Sequence, residues 1–124
     1  EALELLKKSK KYKDCKDSYL KNIKNLLEII KSYGSKKLII TDGKNGAHFF
    51  DGVNYHYQKA LNNKKILDTT GVGDAFNSTF VALYMLNNGD YKKAMKLAAL
   101  NASSVIAVYG AQNGLIPLNK LIKK

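Results

Sequence analysis

The sequence contains no arginine and no tryptophan, and it has only one cysteine and one proline. Cys15 has no second cysteine to pair with and no ligand neighbours at zinc-site spacing, which excludes an internal disulfide and a zinc site. Pro117 lies near the end, and no repeat marks a domain boundary. No run approaches the roughly 18 apolar residues of a membrane span. We expect one globular domain, located in the cytoplasm.

The positive charge comes from lysine alone. The net charge is +11, and all 21 basic side chains are lysines. Lysine lacks the planar fork with which arginine contacts phosphates and guanine, which argues against nucleic acid as a partner. The densest cluster also contains Asp14 and Asp17 and is interpreted as solvated surface, with polyanion binding as the alternative. Its lysines are Lys7, Lys8, Lys10, Lys11, Lys13 and Lys16.

Hydrophobic spacing predicts an α/β arrangement in the first half of the chain. Apolar residues three and four positions apart predict an amphipathic helix over residues 19–32, with Gly34 at its end. The apolar run 38–40 predicts a buried strand that ends in a turn. Asp51-Gly52 lies between two strand-like segments and predicts a tight β-hairpin near residues 47–57, with positive φ at both turn positions.

The second half is predicted to be mainly helical. Residues 64–67 are a further strand candidate. Residues 75–86 are apolar on most faces, which predicts a helix buried all round. Asp90 is a suitable N-cap for a helix over residues 91–108. The tail at 115–122 is expected to form a short strand or a helical turn.

A phosphate-binding turn is predicted before the helix at 75–86. The first N–H groups of a helix lack intrahelical partners, and glycine lets an anion approach the backbone, so Gly71-Val72-Gly73 could bind phosphoryl oxygens. Asp74 would place a carboxylate beside them, either as a base or simply as a helix-terminal residue. The spacing does not fit a dinucleotide fingerprint, whose third glycine would fall at Phe76. It does not fit a P-loop either, since no Gly-Lys-Ser/Thr follows.

The segment Asp68-Thr69-Thr70-Gly71-Val72-Gly73-Asp74-Ala75-Phe76 resembles the signature of the ribokinase-like (PfkB) family of carbohydrate kinases. Only Val72, for alanine, departs from the usual signature. The resemblance implies that Asp74 is the catalytic base and that the backbone of Gly71, Val72 and Gly73 is the anion hole. It also implies an α/β fold, the C-terminal portion of a three-layer α/β/α architecture.

Other segments extend the resemblance to the nucleotide site. Thr41-Asp42-Gly43-Lys44-Asn45-Gly46 resembles the family's Thr-x-Gly-x-x-Gly turn, which implies ATP contacts from Thr41, Gly43 and Gly46. The small-residue helix around Asn101 resembles the helix that flanks the adenine in the family, and Gly110-Ala111 with Pro117 resembles the family's closing Gly-Ala…Pro segment. The resemblance implies ATP contacts from Asn101 and Gly110. Asn101 could equally be an ordinary buried amide.

The resemblance implies ATP and Mg²⁺ as cofactors, and also a monovalent cation such as K⁺. Glu1 matches the final acid of a motif, Asn-x-x-Glu, that helps place magnesium in the family. Asp68 and Thr70 match residues that hold the monovalent cation together with the segment between Asn101 and Gly110. That segment is shorter here than in common members, so this departure falls at the cation site.

We therefore expect residues 1–124 to be the C-terminal, ATP-binding portion of one kinase domain, without the N-terminal half that holds the lid and the substrate site. The complete enzyme would transfer the γ-phosphoryl of ATP to a hydroxyl of a sugar or related polyol. This chain alone is expected to be inactive. Two alternatives are a basic polyanion-binding module and an inactive nucleotide-binding fragment. A monomer and a homodimer of the complete protein both stay open.

Overall fold

A computed structural model describes residues 2–61 and 66–123. A 3₁₀ turn (Gly43–Asn45) separates the first two strands. None of the helices in the described part combines the length and the apolar content needed to span a bilayer. Glu1 lies outside the described residues, so its expected role beside magnesium stays a prediction. In these ranges the elements are α1 (Ala2–Lys8), α2 (Asp17–Leu20), α3 (Ile23–Ser32), β1 (Leu38–Thr41), β2 (Ala47–Phe50), β3 (Tyr55–Gln58), α4 (Val72–Leu86), α5 (Tyr91–Val105) and α6 (Leu118–Leu121).

The three strands form a small antiparallel sheet in the order β1-β2-β3, which confirms the predicted hairpin. The turn differs from the prediction. Gly52 has a φ of 109°, but Asp51 is not in the positive-φ region. Instead the Asp51 carboxylate accepts hydrogen bonds from the N–H groups of Val53 (2.8 Å) and Asn54 (2.6 Å). This side-chain turn needs only one positive φ, because the carboxylate replaces the backbone acceptor.

The chain divides into two compact units. The first unit takes the described residues up to Leu38 together with Phe49–His56. Its buried side chains include Leu20, Leu26, Leu27 and Ile29. The helix predicted over residues 19–32 is divided between α2 and α3, because the Asn22 side chain accepts from Lys24 N–H (3.0 Å) and starts a new helix.

The second unit contains Ile39–His48 and the described residues from Tyr57 onward. Helix α4 packs along α5. Both contribute buried side chains, among them Phe76, Phe80 and Leu83 from α4 and a row of alanines from α5. The predicted N-cap of α5 is confirmed, because the Asp90 carboxylate accepts a hydrogen bond from Lys93 N–H at 3.1 Å. Small side chains on α5 let the two helices approach closely.

Three expectations are corrected in detail. Helix α4 is not buried all round: Val81, Met85 and Leu86 are exposed, because α5 covers only the opposite face. Strand β1 is half-buried rather than fully buried. In the strand candidate 64–67, the first two residues lie outside the described ranges. The other two, Ile66 and Leu67, are in no strand, and Leu67 N–H donates to the Ile106 carbonyl at 3.0 Å. The tail forms the helical turn α6.

Candidate active site

A cavity of about 460 Å³ lies entirely within the second unit. Four segments meet around it, and apolar side chains form much of its wall. Of the sequence-predicted site residues, it brings together Thr41, Gly43, Gly46, Val72 and Gly73. The end of β1, the turn after it and the start of β2 contribute Thr41, Gly43, Lys44, Gly46 and Ala47; the end of β3 and its continuation contribute Gln58, Lys59, Ala60 and Leu61; the approach to α4 and the first residues of α4 contribute Ile66, Thr69, Val72, Gly73 and Phe76; and α5 with its C-cap residue contributes Ala99, Ala102, Ser103 and Ile106.

The turn after β1 is held in a conformation that requires glycine. Gly46 has a φ of 107°, and a Cβ placed on it would lie 2.2 Å from the carbonyl oxygen of Gln58. The turn is closed by a hydrogen bond from Asp42 N–H to the Gly46 carbonyl at 2.8 Å. The Tyr57 hydroxyl donates to the Asn45 carbonyl at 2.6 Å. The turn and β3 are therefore fixed together on one wall of the cavity.

The turn before α4 places glycine backbone at the start of a helix, where anions commonly bind in proteins. Gly71 is the N-cap residue, in the left-handed conformation with a φ of 75°. A Cβ placed on Gly73 would meet nothing within 4 Å, so the backbone is open to an approaching group there. Within the described residues, no acceptor is found for the Gly73 N–H, as expected in the first turn of a helix. The N-terminal end of the helix dipole also favours negative charge at this point.

Asp74 lies in the first turn of α4, directly after cavity-lining Gly73. Its side chain is exposed. No described residue forms a hydrogen bond or an ion pair with its carboxylate, whereas its carbonyl accepts from the Ser78 hydroxyl at 2.7 Å. The carboxylate is therefore accessible to a ligand that binds at the turn.

Asp68 and Gly110 lie close together beside this turn. The Asp68 carboxylate accepts from Thr70 N–H at 2.8 Å and from Gly110 N–H at 3.0 Å. Hydrogen bonds from the Thr70 side chain, from the Thr70 backbone and from the Gly110 backbone lower the pKa of this carboxyl below its ordinary value. Asp68 and Gly110 do not line the cavity, and their hydrogen bond stabilises the loops beside it.

Asn101 is buried, with 5% of its surface exposed, and both ends of its amide are used. Its Nδ2 donates to the Thr79 hydroxyl at 2.8 Å, and its Oδ1 accepts from Ile116 N–H at 2.8 Å. It thereby joins α5 to α4 and to the segment before α6. This geometry favours the buried-amide interpretation over adenine contact.

The resemblance pointed to the small-residue helix that carries Ala99 and Ala102, but sequence reasoning did not identify the rest of the α5 wall or the two lysines of the cavity. Ala99, Ala102, Ser103 and Ile106 recur at three- and four-residue spacing, which places them on one face of a helix. Such periodicity indicates that these residues share one face of the helix, but it does not show that this face lies against a cavity. Lys44 and Lys59 also line the cavity. Lys44 falls inside the motif at 41–46, and its charge was the available signal.

The hairpin histidines have separate surroundings. His48 is buried, and its ring lies 5.1 Å from the Tyr57 ring; burial lowers its pKa. In the first unit, His56 Nε2 lies 2.8 Å from Asp51 Oδ2. This contact, together with the backbone hydrogen bonds of Asn54 and Val53, holds the pKa of Asp51 well below its ordinary value. Neither histidine lines the cavity.

An apolar cavity joined to a glycine turn at a helix N-terminus is typical of α/β proteins that bind phosphate groups. Residues 1–118 match the family described as pfkB family carbohydrate kinase. Ribokinase of Lactococcus lactis subsp. lactis (strain IL1403) is 36% identical over 99 residues, which cover 80% of this chain and 32% of that protein. The chain therefore belongs to the pfkB family of carbohydrate kinases.

Solved structures give the same result for the fold. A structure of Arabidopsis thaliana ribokinase complexed with ribose and ATP matches with a TM-score of 0.72 and 25% identity, covering 82% of this chain and 32% of that one. Ribokinase from Cryptococcus neoformans var. grubii serotype A in complex with ADP matches with a TM-score of 0.70 and 26% identity, covering 89% and 36%. The expected ribokinase-like α/β fold is confirmed. The chain spans about a third of the length of the relatives it matches.

Proposed function

We propose that the complete protein transfers the γ-phosphoryl group of ATP to a hydroxyl of a sugar or related polyol, and that this chain is its C-terminal, ATP-binding portion. The observation that carries the proposal is the cavity itself, which ends at the glycine turn of α4 with Asp74 as the next residue. Its volume of about 460 Å³ falls within the usual range of small-molecule sites. The structures complexed with ATP and ADP are those of relatives.

The nucleotide would bind with its base and ribose in the cavity and its phosphates at the two glycine turns. The small apolar side chains of α5, including Ala99 and Ala102, leave room for a flat aromatic base. Thr41, Gly43 and Gly46 lie on the turn after β1, where Lys44 adds positive charge for the phosphates. Gly110 does not line the cavity, so it would affect nucleotide binding only indirectly, through its hydrogen bond to Asp68 beside the turn before α4.

The anion hole would be the backbone at Gly71, Val72 and Gly73. N–H groups at a helix N-terminus are fixed before the reaction, so they stabilise charge on the transferring phosphoryl group without reorganising. The Val72 side chain does not remove its N–H. That N–H lies 3.4 Å from the Thr69 carbonyl, a long contact that a phosphoryl oxygen could replace.

Asp74 would be the general base. Its carboxylate accepts the proton of the acceptor hydroxyl while the oxygen attacks the γ-phosphorus and the bond to the β-phosphate oxygen breaks, which releases ADP. An exposed carboxylate beside an anion hole is suited to this step, because the acceptor must reach both groups. The sugar itself would be held by residues outside this chain.

Mg²⁺ is the cofactor implied for the phosphates. The described residues contain no group of three or more His, Cys, Asp or Glu side chains that could form a complete metal site. This fits Mg²⁺ in kinases, which is held largely by phosphates and water with one or two carboxylates. When bound, the ion neutralises charge on the phosphates.

A test of the activity is acceptor-dependent formation of ADP. The complete protein, with ATP and Mg²⁺, should release ADP when one member of a panel of sugars, sugar phosphates and nucleosides is added, and mass spectrometry should find that acceptor heavier by one phosphoryl group. Nucleotide binding without phosphorylation of any member, at saturating ATP, would contradict the proposal. Binding of nucleic acid that weakens steeply with salt would instead favour a basic binding module.

A further inference from the structure

Asp68 closes a joint between the loop before α4 and the loop after α5. Its two carboxylate oxygens accept from different backbone groups, Oδ1 from Thr70 N–H and Oδ2 from Gly110 N–H. The two loops are also in close contact next to this carboxylate, since a Cβ placed on Gly71 would lie 2.7 Å from the Ala111 Cβ. The position of the anion-hole turn therefore depends on this joint.

We propose that Asp68 is a positioning residue, which fixes the anion-hole turn against the Gly110 loop by direct hydrogen bonds from Thr70 N–H and Gly110 N–H. The proposal rests on the kinase function above, which fails separately if the unaltered protein phosphorylates no acceptor.

The positioning role of Asp68 is tested with Asp68→Ala and Asp68→Asn. Asp68→Ala removes both acceptors and should raise KM for ATP or lower kcat by roughly tenfold or more, because small displacements of a catalytic turn are costly. Asp68→Asn keeps one oxygen acceptor and should recover part of the loss. The control is Asp90→Ala, which removes a single backbone acceptor at α5 and should leave KM unchanged. Unchanged kinetics in Asp68→Ala would overturn the positioning role.

Discussion

Gly46 and Gly34 have similar backbone conformations, with φ of 107° and 99°, but different surroundings. A Cβ on Gly46 would lie 2.2 Å from the Gln58 carbonyl, whereas a Cβ on Gly34 would meet nothing within 4 Å. Gly46→Ala should therefore destabilise the protein by about 1–3 kcal/mol more than Gly34→Ala, since both carry the positive-φ strain and only one adds a clash.

Thermal and urea unfolding of the two variants, in the complete protein, measure this difference. Gly46→Ala should also raise KM for ATP, because Gly46 and Gln58 line the cavity. Equal losses of stability in the two variants would show that the turn after β1 can relax. In that case the fixed geometry of the turn would not explain why residue 46 is glycine.

Individual site residues differ in how far the sequence could predict them. The glycine turn before α4 was predictable as a turn, since glycine and the start of an apolar helix mark it locally, whereas its role as an anion hole stays a prediction. The partners of Asp68 and Asn101 were not, because Gly110 and Ile116 are distant in sequence and only the fold brings them close. The assignment of Asp74 as a base came from the resemblance rather than from spacing.

For helices and strands, as for single residues, the sequence predicts local features but not the neighbours that the fold supplies. Helices α4 and α5 show this. Asp90 and the alanines of α5 predicted that helix well, because capping and helix propensity act locally. The exposed side of α4 was not predictable, since an apolar helix does not show which faces its neighbours cover. Ile66 and Leu67 also lack the neighbouring strand that would make them part of a sheet among the described residues.

Asn101 provides a test of how these helices are joined. Asn101→Ala leaves the Ile116 N–H and the Thr79 hydroxyl without their buried partner, which should cost about 1–3 kcal/mol for each group left unsatisfied. KM for ATP should stay near that of the wild type below the melting transition. Thr79→Val, which removes only the α4 partner, is the matched control and should cost less.

Urea unfolding and ATP kinetics on Asn101→Ala decide between its two interpretations. A loss of stability with unchanged KM supports the buried amide. A tenfold or larger rise in KM with normal stability would instead assign Asn101 to the adenine site.

For the whole molecule, the resemblance to one family predicted more than periodicity could. The α/β class, the hairpin and the family are confirmed, while the position of the cavity required the fold. The cavity wall combines residues from the turn at 41–47, the segment at 58–61 and α5. These segments are far apart in sequence, so no local pattern shows that they meet.

The most direct test of the central proposal compares Asp74→Asn with Asp90→Asn in the complete enzyme. Asp90 is the N-cap of α5, a position that asparagine fills about as well as aspartate, and Asp74 lies in the first turn of α4. Only Asp74 follows the proposed anion-hole turn, so Asp74→Asn should lower kcat by about 10²–10⁴-fold with the Kd for ATP unchanged, while Asp90→Asn should retain normal turnover. Near-normal turnover in Asp74→Asn would contradict the account.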